Sequence, residues 1–382
     1  MGQSPGTPRL LRRLNDRTAL ELLIADGPLT RAELGERTGL SKVTAGQLLS
    51  RLEDRGLVEV AGQRAGGRGP HAALYGVVPS CAYVAGLEVL PDSVTVGVAD
   101  ITGKTVVEVT VNPADARDPV KTVQEAVGRA CASAQVGLSQ LRAFVIGTRG
   151  VVDPRTGDVR FSLDLPAWHV GVLAGLRRTL GASVTIENDV NLVALAEHRY
   201  GAAAGVDDFV VMWAGIGQGL GVMLGGRLYR GITGGAGEIG WLPVPGEPLP
   251  TDVAHPNSGS FQRLVNHDAL GGLARSYGMT GAGVPDQVRG GGEEFLDAVA
   301  ARLALGAAAV AVVLDPGLIV LSGDIGRAGG ERLAAKVEEA VARICPAPPT
   351  VLATGVAGNP VLRGALVAAL EQAREQVFSD TV

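Results

Sequence analysis

The residues best able to do chemistry sit in the stretch TIENDVN, 185–191, where a carboxylate, Asp189, ends an apolar run between Asn188 and Asn191. An acid at the tip of a strand is a natural general base. It can equally hold a polar ligand as a paired acceptor, and the spacing alone leaves both roles open. The thiols offer less. Cys81, Cys131 and Cys345 are far apart, with no CxxC or CxC pair among them. That argues against a disulfide framework and a Cys-based zinc site, and fits a reducing cytoplasm.

The elements that must position Asp189 belong to a chain of 382 residues, long enough for two or three domains. Apolar residues make up 46% and aromatics 4%, so the cores rest on Val, Leu, Ile and Ala, while 55 glycines suit an α/β protein with tight strand-to-helix turns. The N-terminal MGQSPGTPRLLRRLNDR has no apolar signal region, and the longest apolar stretch, Leu303 to Leu314, is 12 residues. Twelve is short for a bilayer span, so the expectation is a cytoplasmic protein without a membrane partner. The net charge of −5 divides unevenly: residues 1–75 carry +3 and the rest −8. A basic head on an acidic body suggests that only the head meets a polyanion.

The head, residues 1–78, has its own pattern. Thr18 to Ala25 puts apolar residues on one helical face, closed by Asp26-Gly27-Pro28; Thr30 with Glu33 forms a capping box for a helix that stops at Gly39. Ser41 caps a third helix, in which Ala45, Leu48, Leu49 and Leu52 make a buried stripe. Lys42, Thr44, Gln47 and Arg51 face away from it. Two helices joined by a short Gly-containing turn, with a polar and basic outer face, predict a helix-turn-helix. A strand from Gly56, the loop AGQRAGGRGPHAA and a returning strand at Leu74 predict a wing tipped by Arg64 and Arg68. In that reading Thr44 and Gln47 reach base edges of double-stranded DNA, with Ser41 beside them at the cap. Lys42, Arg51, Arg64 and Arg68 meet phosphates.

From residue 79 onward, two sets of strands, YVAGLEV with VTVGVADITGKTV and FVVMWAG with GVMLGG, each continue into helix–strand alternation, predicting two α/β lobes around a cleft. The order of motifs resembles the ROK family of sugar-responsive repressors, open reading frames and sugar kinases, in particular its xylose- and N-acetylglucosamine-type repressors. The resemblance rests on IGTRGVVDPRTGDV (146–159), LDLPAW (163–168), ENDVNLVALAEHRYGAA (187–203), WAGIGQGLG (213–221), GGRLYRGITGGAGEIGWLPV (225–244) and LSGDIGRAGG (321–330). It implies an actin-like, hexokinase-like body over residues 79–382, with a sugar site in the cleft. It also implies a homodimer or homotetramer joined through the second lobe.

In the family's enzymes the Asp at the place of Asp189 is the base and two glycine-rich loops hold ATP. Phosphoryl transfer depends mainly on positioning and neutralising the phosphates, and here the loops depart from the family pattern. Glu88-Val-Leu-Pro-Asp92 stands where Asp-x-Gly-Gly-Thr is usual, with Leu90 and Pro91 for glycines and Asp92 adding negative charge; Trp213-Ala-Gly-Ile-Gly217 lacks the usual Thr. The expectation is a non-catalytic regulator with no cofactor. A sugar kinase with an appended DNA-binding head is the alternative. The family's zinc cysteines are replaced by HPNSGSFQ (255–262), leaving His255 and His267, so no zinc is expected. By the resemblance, Asn188, Asp189 and Glu238 match sugar-binding positions. Trp241 replaces the usual His, Gln262 the usual Glu and Asp164 the usual Asn, while Arg149 stands where Pro is common. These seven residues are expected to form an effector pocket for a sugar or, with Arg149, a sugar phosphate.

Overall fold

The computed structural model describes residues 8–64, 71–112, 118–162, 165, 167–168, 171–181, 183–253, 259–281 and 283–379. The head opens with α1 (Pro8–Asp26), ten residues longer at its start than the expected helix. Its first turns expose Leu10, Leu11 and Leu14, so no buried stripe marks them; Ala19, Leu20 and Leu23 carry the burial. A two-residue strand β1 (Leu29–Thr30) leads to α2 (Arg31–Thr38) and α3 (Lys42–Asp54). Thr30 and Glu33 make the reciprocal capping box, and Gly39 closes α2 in the left-handed conformation at φ 70°. The Ser41 side chain accepts from the Thr44 N–H to start α3. The wing strands are β2 (Val58–Arg64) and β3 (Ala72–Val77), and β1 adds to β3 as a third strand, a pairing too short to read from pattern.

The body repeats one topology. In the first lobe β4 (Tyr83–Val89), β5 (Val94–Asp100) and β6 (Thr105–Val111) form an antiparallel meander; α4 (Pro119–Ala134) then leads to β7 (Leu141–Thr148). A small hairpin, β8 (Val151–Val152) and β9 (Val159–Phe161), and α5 (Val172–Leu180) precede β10 (Val184–Asn188). The sheet order is β10-β7-β4-β5-β6, with β10, β7 and β4 parallel. After α6 (Asp189–Tyr200), the second lobe repeats the meander with β11 (Phe209–Ala214), β12 (Gln218–Leu224) and β13 (Arg227–Leu228). Helices α7 (Ser260–Val265), α8 (His267–Ser276), α9 (Val284–Gly290) and α10 (Glu293–Leu314) follow, then β14 (Leu318–Ser322), α11 (Gly323–Ala342), β15 (Thr350–Ala353) and α12 (Pro360–Ser379). Its order, β13-β12-β11-β14-β15, is the same as the first lobe's, with the meander on one side of the first strand and the two later parallel strands on the other.

Strands β4 and β5 are near-continuously buried because helices cover both faces of their sheet: α4 on one side and α12 on the other. Helix α12, last in the chain, therefore belongs to the first lobe, while α6 lies against β11 and β12 of the second. The two helices cross between the sheets. Gly364 permits the crossing, since a Cβ there would overlap the carbonyl of Leu192 on α6. Helix α10 spans 22 residues and is long and apolar enough by composition to cross a membrane, unlike the 12-residue run expected from sequence. Phe295, Leu296, Val299, Leu303 and Ala307 bury it in the second lobe's core.

Candidate functional site

The two lobes enclose a cavity of about 460 Å³. Six of the seven expected effector residues line it: Arg149, Asn188, Asp189, Glu238, Trp241 and Gln262. The seventh, Asp164, lies outside the described residues, as do Arg68 of the wing and His255. Asp189 is the first residue of α6, just past the strand tip. Its Oδ1 accepts the Val190 N–H at 2.9 Å. Burial pushes its carboxyl up to about 7; Arg149 and the Val190 N–H pull down, and Glu88 and Glu238 push further up. Burial also raises Glu238, and it raises Glu88 against the hydrogen bond that Asn359 Nδ2 donates to Glu88 Oε2 at 2.5 Å.

Asn188 is more committed than its sequence position suggests. Its Oδ1 caps α6 by accepting from Val190 at 3.0 Å and Asn191 at 3.1 Å, and its Nδ2 donates to Gly150 O at 3.0 Å. One N–H of the amide remains for a ligand. Gln262 Nε2 likewise donates to Ile216 O at 2.9 Å. The glycine-rich segment that carries Glu238 is moored from behind, where Arg230 Nε donates to buried Glu187 at 2.6 Å. Gly234, at φ 83°, lies so close to Val152 of the first lobe that a Cβ would overlap the Val152 carbonyl, sealing one wall of the cavity. Glu88 and Trp213 were expected only as members of the two phosphate-loop segments, and Arg230, Phe161, Gln218 and Asp324 were not expected at the pocket. All except Arg230 line it.

On the side where a phosphate loop would lie, Glu88 and Val89 end β4 and Leu90–Ser93 is a tight turn closed by Leu90 N–H to Ser93 O at 2.9 Å. Leu90 lines the cavity, but Asp92 is exposed and does not, correcting the expectation that Asp92 supplies the negative charge there. That charge comes instead from Asp324, in the first turn of α11. Its Oδ1 accepts the Ile325 N–H at 2.9 Å, and its Oδ2 lies 2.8 Å from His267 Nε2. A carboxylate thus occupies the helix N-terminus that would otherwise favour an anion. LSGD carries this Asp in plain view, yet only folding brings it beside Trp213 and Gly215 at the cavity. Among the described residues no group of three His, Cys, Asp or Glu side chains gathers to hold a metal.

In the head, a shallow open groove of about 770 Å³ runs over the outer face of α3, lined by Lys42, Val43, Gly46, Gln47, Ser50 and Arg51, with Arg12 of α1 and Arg31 of α2 at its edge. Gln47 and Lys42 are exposed as expected. Four expected contacts are otherwise engaged. Thr44 Oγ1 and Ser41 Oγ are 2.9 Å apart in the cap, and neither lines the groove. Arg51 lines it but pairs through Nη2 with buried Asp16 at 2.7 Å, tying α3 to α1. Arg64 turns back onto Glu33 of the capping box. At 100° per residue, Val43, Gln47 and Ser50 stand opposite the buried stripe and Thr44 and Arg51 on its flank; the stripe's complement was the available signal for Val43 and Ser50.

Comparison with known proteins agrees with both parts. The ROK family model matches residues 84–372 and a MarR family model matches residues 14–69. The DNA-binding transcriptional dual regulator NagC of Escherichia coli is 25% identical over 269 residues, covering 69% of this chain and 65% of NagC. The xylose repressor of Caldicellulosiruptor bescii is 24% identical over 244 residues, covering 63% of this chain and 61% of that protein. The crystal structure of a ROK family transcriptional regulator, a homolog of the E. coli MLC protein, superposes with a TM-score of 0.76 at 16% identity, covering 96% of this chain and 98% of that one. The ROK hexokinase of Thermus thermophilus superposes with a TM-score of 0.62 at 28% identity, covering 76% of this chain and 98% of that one. Two lobes of repeated topology closing on Asp189, matched by the family model from residue 84 to 372, make this chain a member of the ROK family.

Proposed function

We propose that the chain is a sequence-specific DNA-binding transcriptional regulator, a repressor of carbohydrate-related genes, acting in the cytoplasm as a homodimer or homotetramer. Residues 1–78 bind the operator, and residues 79–382 bind a sugar-class effector without turning it over. The observation that carries this reading is the outward face of α3, bordered by Arg12, Arg31 and Lys42 and set on a capped helix-turn-helix. Polyanion affinity follows from such a cationic border and base reading from the exposed helix between its charges. Against catalysis stand Leu90 and the Asp324 carboxylate, which give a triphosphate neither backbone donors nor positive charge.

Helix α12 supplies a physical link between effector and operator. Its cap Asn359 holds Glu88 on the cavity wall. Near its other end Glu375 accepts from Arg17 at 2.5 Å and the Val377 carbonyl accepts from Arg55 at 2.8 Å, so α1 and the end of α3 rest on it. A ligand that draws on Glu88 or shifts the lobes would move a rod of about 30 Å under the head. Ligand and operator would then oppose each other reciprocally. The test is a mobility shift with the chain's own promoter DNA and a panel of sugars and sugar phosphates, beside a coupled ATP assay with the same sugars. Binding released by one sugar, with no turnover, is the expected result. Turnover abolished by Asp189→Asn would instead establish the kinase alternative.

A further inference from the structure

On the recognition helix, an apolar side chain stands where polar readers are expected. Val43 is the second residue of α3 and is 70% exposed, among the most exposed large apolar residues of the described chain. The packing of the domain itself cannot bury it, because the core-facing stripe of α3 lies on the opposite side, where Ala45, Leu48, Leu49 and Leu52 are each at most 2% exposed. It shares the groove with Gly46, Gln47 and Ser50, at i, i+3, i+4 and i+7, so these four form one continuous outward stripe. None of these four is charged; the cations Arg12, Arg31, Lys42 and Arg51 line the groove around them, and the stripe begins with a valine followed one turn on by a glycine.

Resting on the reading of the head as an operator-binding domain, we infer that Val43 reads a thymine, taking the thymine 5-methyl group into contact in the major groove. The N-terminal residues of a recognition helix are those that meet base edges, and thymine alone of the four bases presents a methyl there. Gly46, one turn on, offers no side chain to hold the helix away from the bases, and a Cβ there would meet the Arg31 side chain at 3.5 Å. Gln47, next along the stripe, supplies an amide for the neighbouring base. Thr44, whose hydroxyl is taken up with Ser41, reads nothing in this arrangement.

The experiment uses the full-length chain. Sites are selected from a randomised duplex pool, and uracil is then substituted for each thymine of the selected site in turn, removing only the methyl. One thymine per half-site is expected to be sensitive, with a loss of about fourfold in affinity, the weight of one buried methyl. Val43→Ala should bind the thymine and uracil duplexes equally, while Ser50→Ala keeps the parent's discrimination at that position. Equal sensitivity in Val43→Ala and parent, or no sensitive thymine in any half-site, overturns the inference and leaves the operator reading intact. Failure to enrich any sequence overturns both.

Discussion

Arg51 separates two accounts of the same residue. Its exposed flank on α3 suggests a phosphate contact, but its guanidinium pairs with Asp16, which is only 2% exposed in the seam between α1 and α3. Arg51→Ala would leave that carboxylate buried without its partner. An exposed ion pair contributes about 0–1 kcal/mol, while breaking a buried one costs about 3–5 kcal/mol. Arg51 is 38% exposed on its side chain, so the pair falls between these cases, and a loss of about 2 kcal/mol is expected. Native-state hydrogen exchange in the full-length chain reads that loss as a roughly 30-fold drop in protection of the α3 amides. The salt dependence of operator binding reads the other role, since removing one phosphate contact lowers its slope by about one. Lys42→Ala is the control, expected to change the slope and spare protection. If Arg51→Ala keeps the α3 amides protected and lowers the slope as Lys42→Ala does, the pairing with Asp16 has been given the wrong weight.

Asp189 is ordinarily an acid of pKa 3.8 and stands at about 7 in the fold, so the folded state holds its proton more tightly than the unfolded state and loses stability as pH rises from about 4 to 7. Asp189→Asn removes that penalty: thermal melting should show stabilisation of about 2 kcal/mol at pH 8, half the shift's full weight because the group still meets water through the cavity, and little change at pH 4. An equal effect at both pH values would refute it. Gly234→Ala should cost about 3 kcal/mol or more, because it meets both a positive φ and the Val152 carbonyl; an unchanged melting temperature would mean the lobe seam is loose. Gly46→Ala finds only ordinary contact with Arg31, so it should stabilise α3 by about 1 kcal/mol while weakening operator binding measured by mobility shift. Improved binding would place Gly46 away from the bases.

Local chemistry alone determined much of this protein. The Thr30–Glu33 box, Gly39, the Ser41 cap and the buried stripe of α3 are set by hydrogen bonds and spacing within a few residues, and each is read directly from the sequence. The same holds for the repeated strand sets, and for the missing glycines at Leu90 and Pro91. Partners distant in sequence were not legible. Nothing near Arg51 announces Asp16, 35 residues away, nor does anything near Asn188 announce the Gly150 carbonyl 38 residues earlier. Asp324 and Glu88 become cavity groups only when the second lobe folds over the first, and α12 reaches the head only by crossing back to the first sheet. Periodicity specifies which face of an element is apolar. Which polar group meets which across that face is settled by the packing of whole elements, where distance in space and distance along the chain part company.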